Sequence, residues 1–271
     1  MCKPNFIHVC FIIDESGSMY GSESDIIGGF NKTIEEQKSV KDGQCSVSFF
    51  SFNENVRERF IGKDVNDVKK LTKTNNCSFR NYTVSTSANS IYFVNDETDI
   101  AVNVTESESD PFLLYQYSPG GGTAMNDAIA SAINKIGKWL SDMPEEERPS
   151  KNLIVIMTDG EENSSKEYTI TQVQEMIKHQ TEKYDWSFVY MGMDITNKKT
   201  AVDLGITSRS FASKSSTSMY KNYSNISNSA TCYRSCTADI ETAKATMDSY
   251  LCTELKNDTA LYESELGIKI D

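Results

Sequence analysis

The stretch Phe6–Ile13, with the sequence FIHVCFII, is nearly all apolar and runs directly into the polar loop Asp14–Ser18, DESGS. A short apolar run of this kind favours a strand that is buried on both faces, as in the interior of a parallel sheet. After the loop, apolar residues recur at helical spacing within Asp25–Val40. The start of the chain is therefore predicted to form a strand, a loop and a helix.

Apolar strands and amphipathic helices continue to alternate along the chain. The predicted strands are Gln44–Phe52, its hairpin partner Val56–Ile61, Asn152–Thr158, Trp186–Met193 and Ser210–Ala212. The predicted helices are Asp25–Val40, Ala124–Leu140, Tyr168–Tyr184, Lys198–Leu204 and Thr237–Leu255. This order predicts an α/β fold in which helices cover both faces of the sheet.

Two segments depart from this alternation. Lys73–Tyr117 is rich in Asn, Thr and Ser, has short β-like runs at Ser90–Val94 and Ile100–Thr105, and is predicted to be a β-rich insertion. Ser213–Ser235 is rich in Ser and Asn and is predicted to form a long loop before the last helix. We predict one domain over residues 1–271, with a core at about 6–255, the insertion at 73–117 and a tail at 256–271.

Three polar loops occur where α/β sheets place their ligands. Asp14–Ser18 carries an aspartate and two serines directly after the first strand, and the loop Gly120–Thr123 brings a hydroxyl to the start of a helix. Thr158–Gly160 places Asp159 at the end of the second buried strand. Because ligand sites of such sheets lie at the carboxyl ends of the strands, we expect the three loops to meet there.

The side chains that these loops offer are all oxygen donors: Asp14, Ser16, Ser18, Thr123 and Asp159. Such a set selects Mg²⁺, or Mn²⁺ or Ca²⁺, over metals that prefer imidazole and thiolate. We expect the hydroxyls to bind the ion directly and one or both aspartates to bind through water. With neutral direct ligands the ion keeps much of its charge, and a carboxylate from another molecule would suit its open position.

At these residues the sequence resembles the von Willebrand factor A domain. The metal-ion-dependent adhesion site of that family has the pattern Asp-x-Ser-x-Ser, then a distant Thr and a distant Asp, and all five positions are filled here. The resemblance extends from Phe6 to about Leu255 apart from the insertion, and it is closest to stand-alone bacterial and phage-type members. It implies a Rossmann-like, mostly parallel sheet of about six strands with one antiparallel edge strand.

The resemblance also implies a non-enzymatic module that binds an Asp or Glu of a protein partner through the metal ion. By analogy with the family, a shift of the last helix could accompany binding. The insertion adjoins the loop of Thr123, and two roles stay open for it: it helps to select the partner, or it is a surface decoration without function. Two alternatives stay open: a metal-dependent hydrolase, in which the ion activates water, and an assembly component of a phage or virus particle with a structural metal. The sequence specifies neither the partner nor the oligomeric state.

Several residues near the loops are left outside the predicted site. Glu15 is expected to face solvent, and Asp127 to cap its helix or support the site from behind. His8 lies within the first strand and His179 within a helix, so neither histidine suits a Ser-His-Asp hydrolase. Cys232, Cys236 and Cys252 lack a fourth ligand at the spacing of a zinc site, so structural or free thiols are expected.

The charge balance limits the classes of partner. The chain has 27 Lys and Arg against 39 Asp and Glu, a net charge of −12, and no basic stripe, which argues against a nucleic-acid partner. No apolar run approaches the roughly 20 residues of a membrane span, so no membrane partner is expected. An odd number of cysteines, 7, and no recognisable signal peptide lead us to expect a cytoplasmic protein.

Overall fold

A computed structural model describes residues 2–73, 82–87, 90–95, 101–104, 115–159, 161–192, 198–206, 208–211 and 216–235, together with 242 and 245. Its strands are β1 (Lys3–Asp14), β2 (Gln44–Phe52), β3 (Val56–Asp64), β4 (Thr72–Lys73), β5 (Tyr82–Ser87), β6 (Ser90–Asn95), β7 (Ala101–Val104), β8 (Gln116–Tyr117), β9 (Pro149–Thr158), β10 (Ser187–Gly192) and β11 (Ser208–Phe211). Its helices are α1 (Glu23–Ser39), α2 (Met125–Ser141), α3 (Ile170–Tyr184), α4 (Lys198–Asp203) and α5 (Ser216–Ser235).

The main sheet has six strands in the order β11-β10-β9-β1-β2-β3. All neighbouring pairs are parallel except β2 and β3, which form the antiparallel edge hairpin. Asp14 is paired with Phe52 and Ile13 with Met157. The carboxyl ends of β1, β2 and β9 therefore lie side by side along the same edge of the sheet, which we call the carboxyl edge. The predicted α/β architecture, with a mostly parallel sheet and one antiparallel edge strand, is confirmed.

Alternate side chains of β1 enter the two hydrophobic clusters that cover the sheet. Val9 and Phe11 pack in the cluster to which α1 and α5 contribute, through residues such as Phe30. Cys10 and Ile12 pack in the other cluster, to which α2 and α3 contribute. This burial on both faces explains why the strand is apolar along nearly its whole length.

The prediction of a loop over Ser213–Ser235 is wrong, because Ser216–Ser235 forms the 20-residue helix α5. The Ser and Asn residues concealed an apolar face at helical spacing. Its described members are Tyr223, Ile226, Ala230 and Tyr233, each at most 1% exposed. Burial of that face outweighs the weak helix propensity of the residues around it.

Polar side chains also fasten α5 to α1. Gln37 Nε2 donates to the carbonyl oxygen and the hydroxyl of Ser227, at 2.8 and 3.2 Å. Arg234 Nη1 donates to the Gln37 carbonyl at 2.6 Å, near the C-terminus of α1. The helix predicted at Thr237–Leu255 lies outside the described residues except for positions 242 and 245.

Within the predicted insertion the structure contains strands. β5, β6 and β7 form a three-stranded antiparallel sheet, in which β6 and β7 correspond to the two predicted β-like runs. β4 and β8 form a short parallel pair. The division of the chain into one domain with an insertion stays a prediction, and its predicted tail, 256–271, lies outside the described residues. None of the described helices is both long and apolar enough to cross a membrane.

Candidate metal centre

The carboxylate of Asp14 is buried at the end of β1. Its Oδ1 accepts a 2.6 Å hydrogen bond from the backbone N–H of Ser16, and its Oδ2 accepts one of 2.6 Å from the hydroxyl of Thr158. Asp14 is 0% exposed. These two bonds hold the carboxylate in one orientation between the ends of two adjacent strands.

The pKa of Asp14 is raised to about 6, chiefly by burial; the nearby charge of Asp159 adds to this effect, whereas hydrogen bonds from Thr158 and Ser16 oppose it. Both carboxylate oxygens of Asp159 are buried as well. Two acidic side chains that interact away from water form a strongly negative environment. A divalent cation would compensate that charge.

The two serines lie on a 3₁₀ turn, Gly17–Met19, which begins directly after Ser16. Their hydroxyl oxygens are 2.9 Å apart. Adjacent ligands of an octahedral Mg²⁺ with bonds of about 2.0–2.1 Å are also separated by about 2.9 Å. The spacing of the hydroxyls is therefore compatible with neighbouring positions around one ion. Ser16 is buried and Ser18 is exposed, so this side of the turn opens to solvent.

The glycine loop before Thr123 is hydrogen-bonded to the loop of Asp14. The N–H of Gly17 donates to Gly121 O at 3.0 Å, and the N–H of Gly120 donates to Glu15 O at 2.8 Å. Gly121 has a φ of +84°, a conformation that side chains rarely adopt. The glycines therefore allow two loop backbones to pair closely beside the predicted site.

The loop after β9 is fastened to Thr123 by three hydrogen bonds. The N–H groups of Asn163 and Ser164 both donate to Thr123 O at 3.1 Å, and Asn163 Oδ1 accepts from the N–H of Thr123 at 2.9 Å. Thr123 is itself 3% exposed. The three loops that bear the predicted residues are thus joined to one another at the same edge of the sheet. That Asp14, Ser16, Ser18, Thr123 and Asp159 bind a metal stays a prediction.

Two further acidic residues stabilise the loop after β9. The carboxylate of Asp127 accepts the backbone N–H groups of Lys166, Glu167 and Tyr168 at 2.7–3.1 Å. Glu162 accepts the N–H of Asn126 in the first turn of α2 at 2.9 Å, where a negative charge is favourable. Asp127 therefore holds the segment that leads into α3, and support of a metal site by Asp127 stays a prediction.

The expectation that Glu15 faces solvent is wrong. Its side chain is 0% exposed and forms ion pairs with Arg57 at 2.9 Å and with Arg59 at 3.0 Å. Its Oε1 also accepts the N–H of Ser118 at 3.3 Å. Two arginines on one face of the edge strand β3 make the burial of this carboxylate possible, because a buried charge needs partners.

Neither histidine lies at the metal centre. His8 is fully buried in β1, six positions before Asp14, where its Nδ1 is 2.9 Å from Ser46 Oγ and its ring lies against Trp139. Burial lowers the pKa of His8 to about 3, so the ring is neutral. His179 is exposed on α3.

The donors present suit a hard cation. Two carboxylates and three hydroxyls supply only oxygen, which matches Mg²⁺, Mn²⁺ and Ca²⁺. In the part of the chain that the structure describes, no group of three or more His, Cys, Asp and Glu side chains is placed to hold a metal. The structure describes four cysteines as free thiols: Cys2, Cys10, Cys45 and Cys232. Cys236 lies outside the described residues.

No protein-family profile and no curated protein matches the sequence. Among solved structures, proximal thread matrix protein 1 from the mussel byssus is 13% identical with a TM-score of 0.51, over 84% of this chain and 47% of its own. A von Willebrand factor type A protein from Catenulispora acidiphila is 13% identical with a TM-score of 0.48, over 85% and 43%. The manganese-loaded TRAP protein of Plasmodium vivax is 14% identical with a TM-score of 0.45, over 81% and 73%.

The chain thus spans less than half the length of the first two of these proteins. At such identities the likeness concerns the fold alone.

Proposed function

We propose that this chain is a non-enzymatic interaction module that binds an acidic side chain of a protein partner through Mg²⁺. Asp14, Ser16, Ser18, Thr123 and Asp159 would hold the ion, with Mn²⁺ or Ca²⁺ as possible substitutes. When bound, the ion supplies a positive charge that accepts a carboxylate oxygen. The partner would otherwise meet a protein of net charge −12, which repels acidic groups.

One observation carries this proposal. Hydrogen bonds join the three loops at the edge where β1 and β9 end, with the hydroxyls of Ser16 and Ser18 2.9 Å apart and Asp14 buried behind them. Because the serine and threonine hydroxyls are neutral, they leave the charge of a bound cation largely uncompensated. The exposure of Ser18 places the hydroxyl side of the site toward solvent, where a partner can reach it.

The placement of the histidines favours an interaction module over a hydrolase. A hydrolase that uses the ion needs a general base, and the chain's two histidines lie elsewhere, His8 inside the sheet and His179 on the surface of α3. A lattice component with a structural metal would use the same residues. Such a component would differ from an interaction module because it would hold its ion even when no partner is bound. We also propose a cytoplasmic location, since an odd number of cysteines, 7, suits a reducing compartment.

Calorimetry with Mg²⁺, Mn²⁺ and Ca²⁺ tests the metal site directly. We expect ion-dependent heat for the wild type, none for Asp14→Ala, and wild-type heat for Glu58→Gln, a control at a surface ion pair with Lys135. Absence of heat with the wild type would end the proposal. Capture of a protein partner from a native lysate in Mg²⁺, and its release by chelator, would test the interaction. Capture that is insensitive to chelator would contradict it.

A further inference from the structure

A side chain beside the proposed metal centre that is held by two arginines belongs to a residue that is not among the proposed ligands. Glu15 stands between Asp14 and Ser16 in the chain and is 0% exposed. Its carboxylate contacts Arg57 Nη1 at 2.9 Å and Arg59 Nη2 at 3.0 and 3.1 Å. Its Oε1 also accepts the N–H of Ser118.

The backbone of Glu15 is held as firmly as its side chain. Its N–H donates to Phe52 O at 2.6 Å, and its carbonyl accepts the N–H of Gly120 at 2.8 Å. Arg59 is fixed in turn, because its Nε donates to Ser51 Oγ at 2.8 Å and its side chain is 11% exposed. Glu15 therefore connects three segments: the metal loop, the end of β2 with the edge strand β3, and the glycine loop.

Rigid support of this kind matters most for hydroxyl ligands. A serine hydroxyl is a neutral and therefore weak metal ligand. Its contribution to cation binding depends on its being placed correctly before the ion arrives. Groups behind the direct ligands of a metal commonly change its affinity 10- to 100-fold. The position of Ser16, directly after Glu15, follows from how the Glu15 backbone is held.

We propose that Glu15 is a positioning residue, which with Arg57 and Arg59 fixes the Asp14–Ser18 loop in its metal-binding conformation. This inference rests on the proposed function, since it concerns the same cation. It assigns the edge hairpin a part in metal affinity, although the hairpin supplies no ligand.

Electrostatics and positioning predict opposite effects for one substitution. Arg59→Gln removes a positive charge near the cation, so charge alone predicts tighter binding of Mg²⁺. Positioning predicts weaker binding, because Glu15 then loses its most buried partner. Glu15→Gln does not separate the two explanations, since it weakens binding under both.

The experiment measures the Mg²⁺ dissociation constant of the full chain by calorimetry, with circular dichroism to verify folding. We expect Arg59→Gln to raise the constant roughly 10-fold, and Arg57→Gln, whose side chain is 44% exposed, to raise it less. Glu58→Gln on the same strand should match the wild type. If Arg59→Gln does not fold, Arg57→Gln gives the same sign test.

Each outcome decides a separate question. Folded arginine variants that bind Mg²⁺ as tightly as the wild type, or more tightly, would overturn the positioning role alone. A wild type that shows no ion-dependent heat would overturn the metal site, and the positioning role with it.

Discussion

The hydroxyl of Thr158 donates a 2.6 Å hydrogen bond to Asp14 Oδ2 and thereby joins the last residues of β9 and β1. Both residues are 0% exposed. The two strands are neighbours in the sheet, so this bond extends their backbone pairing into the side chains of the metal centre. A buried carboxylate depends on such donors, since water cannot replace them.

Thr158→Val should destabilise the metal-free protein by about 1–2 kcal/mol, because valine keeps the shape of threonine but leaves Asp14 Oδ2 without this donor. Urea unfolding in the presence of chelator measures the change. Thr181→Val, on an exposed position of α3, serves as the control and should stay within about 0.5 kcal/mol. Equal stabilities of Thr158→Val and the wild type would show that the bond contributes nothing.

Asp14→Asn should make the metal-free protein more stable at neutral pH. The pKa of Asp14 is raised from 3.8 to about 6 in the folded protein. The contribution of this side chain to folding stability is therefore fully present below pH 4 and is lost as the pH rises through 6. The ionised form then costs up to about 3 kcal/mol. The advantage of the variant in chelator should shrink toward pH 4, and saturating Mg²⁺ should stabilise only the wild type. An advantage that is the same at pH 4 and pH 7.5 would contradict this account.

His8→Phe should reduce the decrease in the free energy of unfolding that occurs as the pH falls. The folded pKa of His8 is lowered from 6.5 to about 3, so its contribution is present above pH 6.5 and is lost as the pH falls toward 3. Between pH 6.5 and pH 5 the wild type should lose about 2 kcal/mol relative to the variant. A wild type and His8→Phe with parallel pH curves would refute the prediction.

Gly29→Ala and Gly28→Ala form a matched pair on α1. A Cβ at Gly29 would lie 1.9 Å from the ring of Tyr223 on α5, whereas nothing lies within 4 Å of one at Gly28. We expect Gly29→Ala to lower the free energy of unfolding by about 1–3 kcal/mol through overpacking. Gly28→Ala should raise it by up to about 1 kcal/mol, because alanine favours the helix. Thermal unfolding of both variants tests the contact between the helices, and equal melting temperatures would disprove it.

Much of the fold can be predicted from the sequence because the buried strands are marked by their composition. Phe6–Ile13 and Asn152–Thr158 are apolar on both faces, which only the interior of a covered parallel sheet explains. The loops after these strands follow from the same reasoning, since ligand sites lie at carboxyl ends. Their joining by hydrogen bonds agrees with that expectation.

The errors arose where side chains at a distance determine the outcome. Helix α5 is stabilised by Tyr223, Ile226 and Ala230, whose spacing of three and four residues was present in the sequence but masked by Ser and Asn. Glu15 is buried because Arg57 and Arg59 reach it from another strand. Because side chains two positions apart on a strand lie on the same face, Arg57 and Arg59 together indicated a nearby acidic side chain. The sequence around them did not indicate that this side chain is Glu15.

The position of β9 in the sheet, between β1 and β10, determines when the proposed metal centre can form. Asp14 and Thr158 are 144 positions apart, and the intervening chain contains the edge hairpin, the glycine loop and α2. Closing a loop of this length costs conformational entropy, which slows the formation of such contacts. During synthesis, Asp14–Ser18 therefore emerges long before the residues that complete its surroundings. The proposed cation binding would thus require the finished sheet, and a nascent or truncated chain that ends before β9 would lack Thr158 and Asp159 of the proposed site.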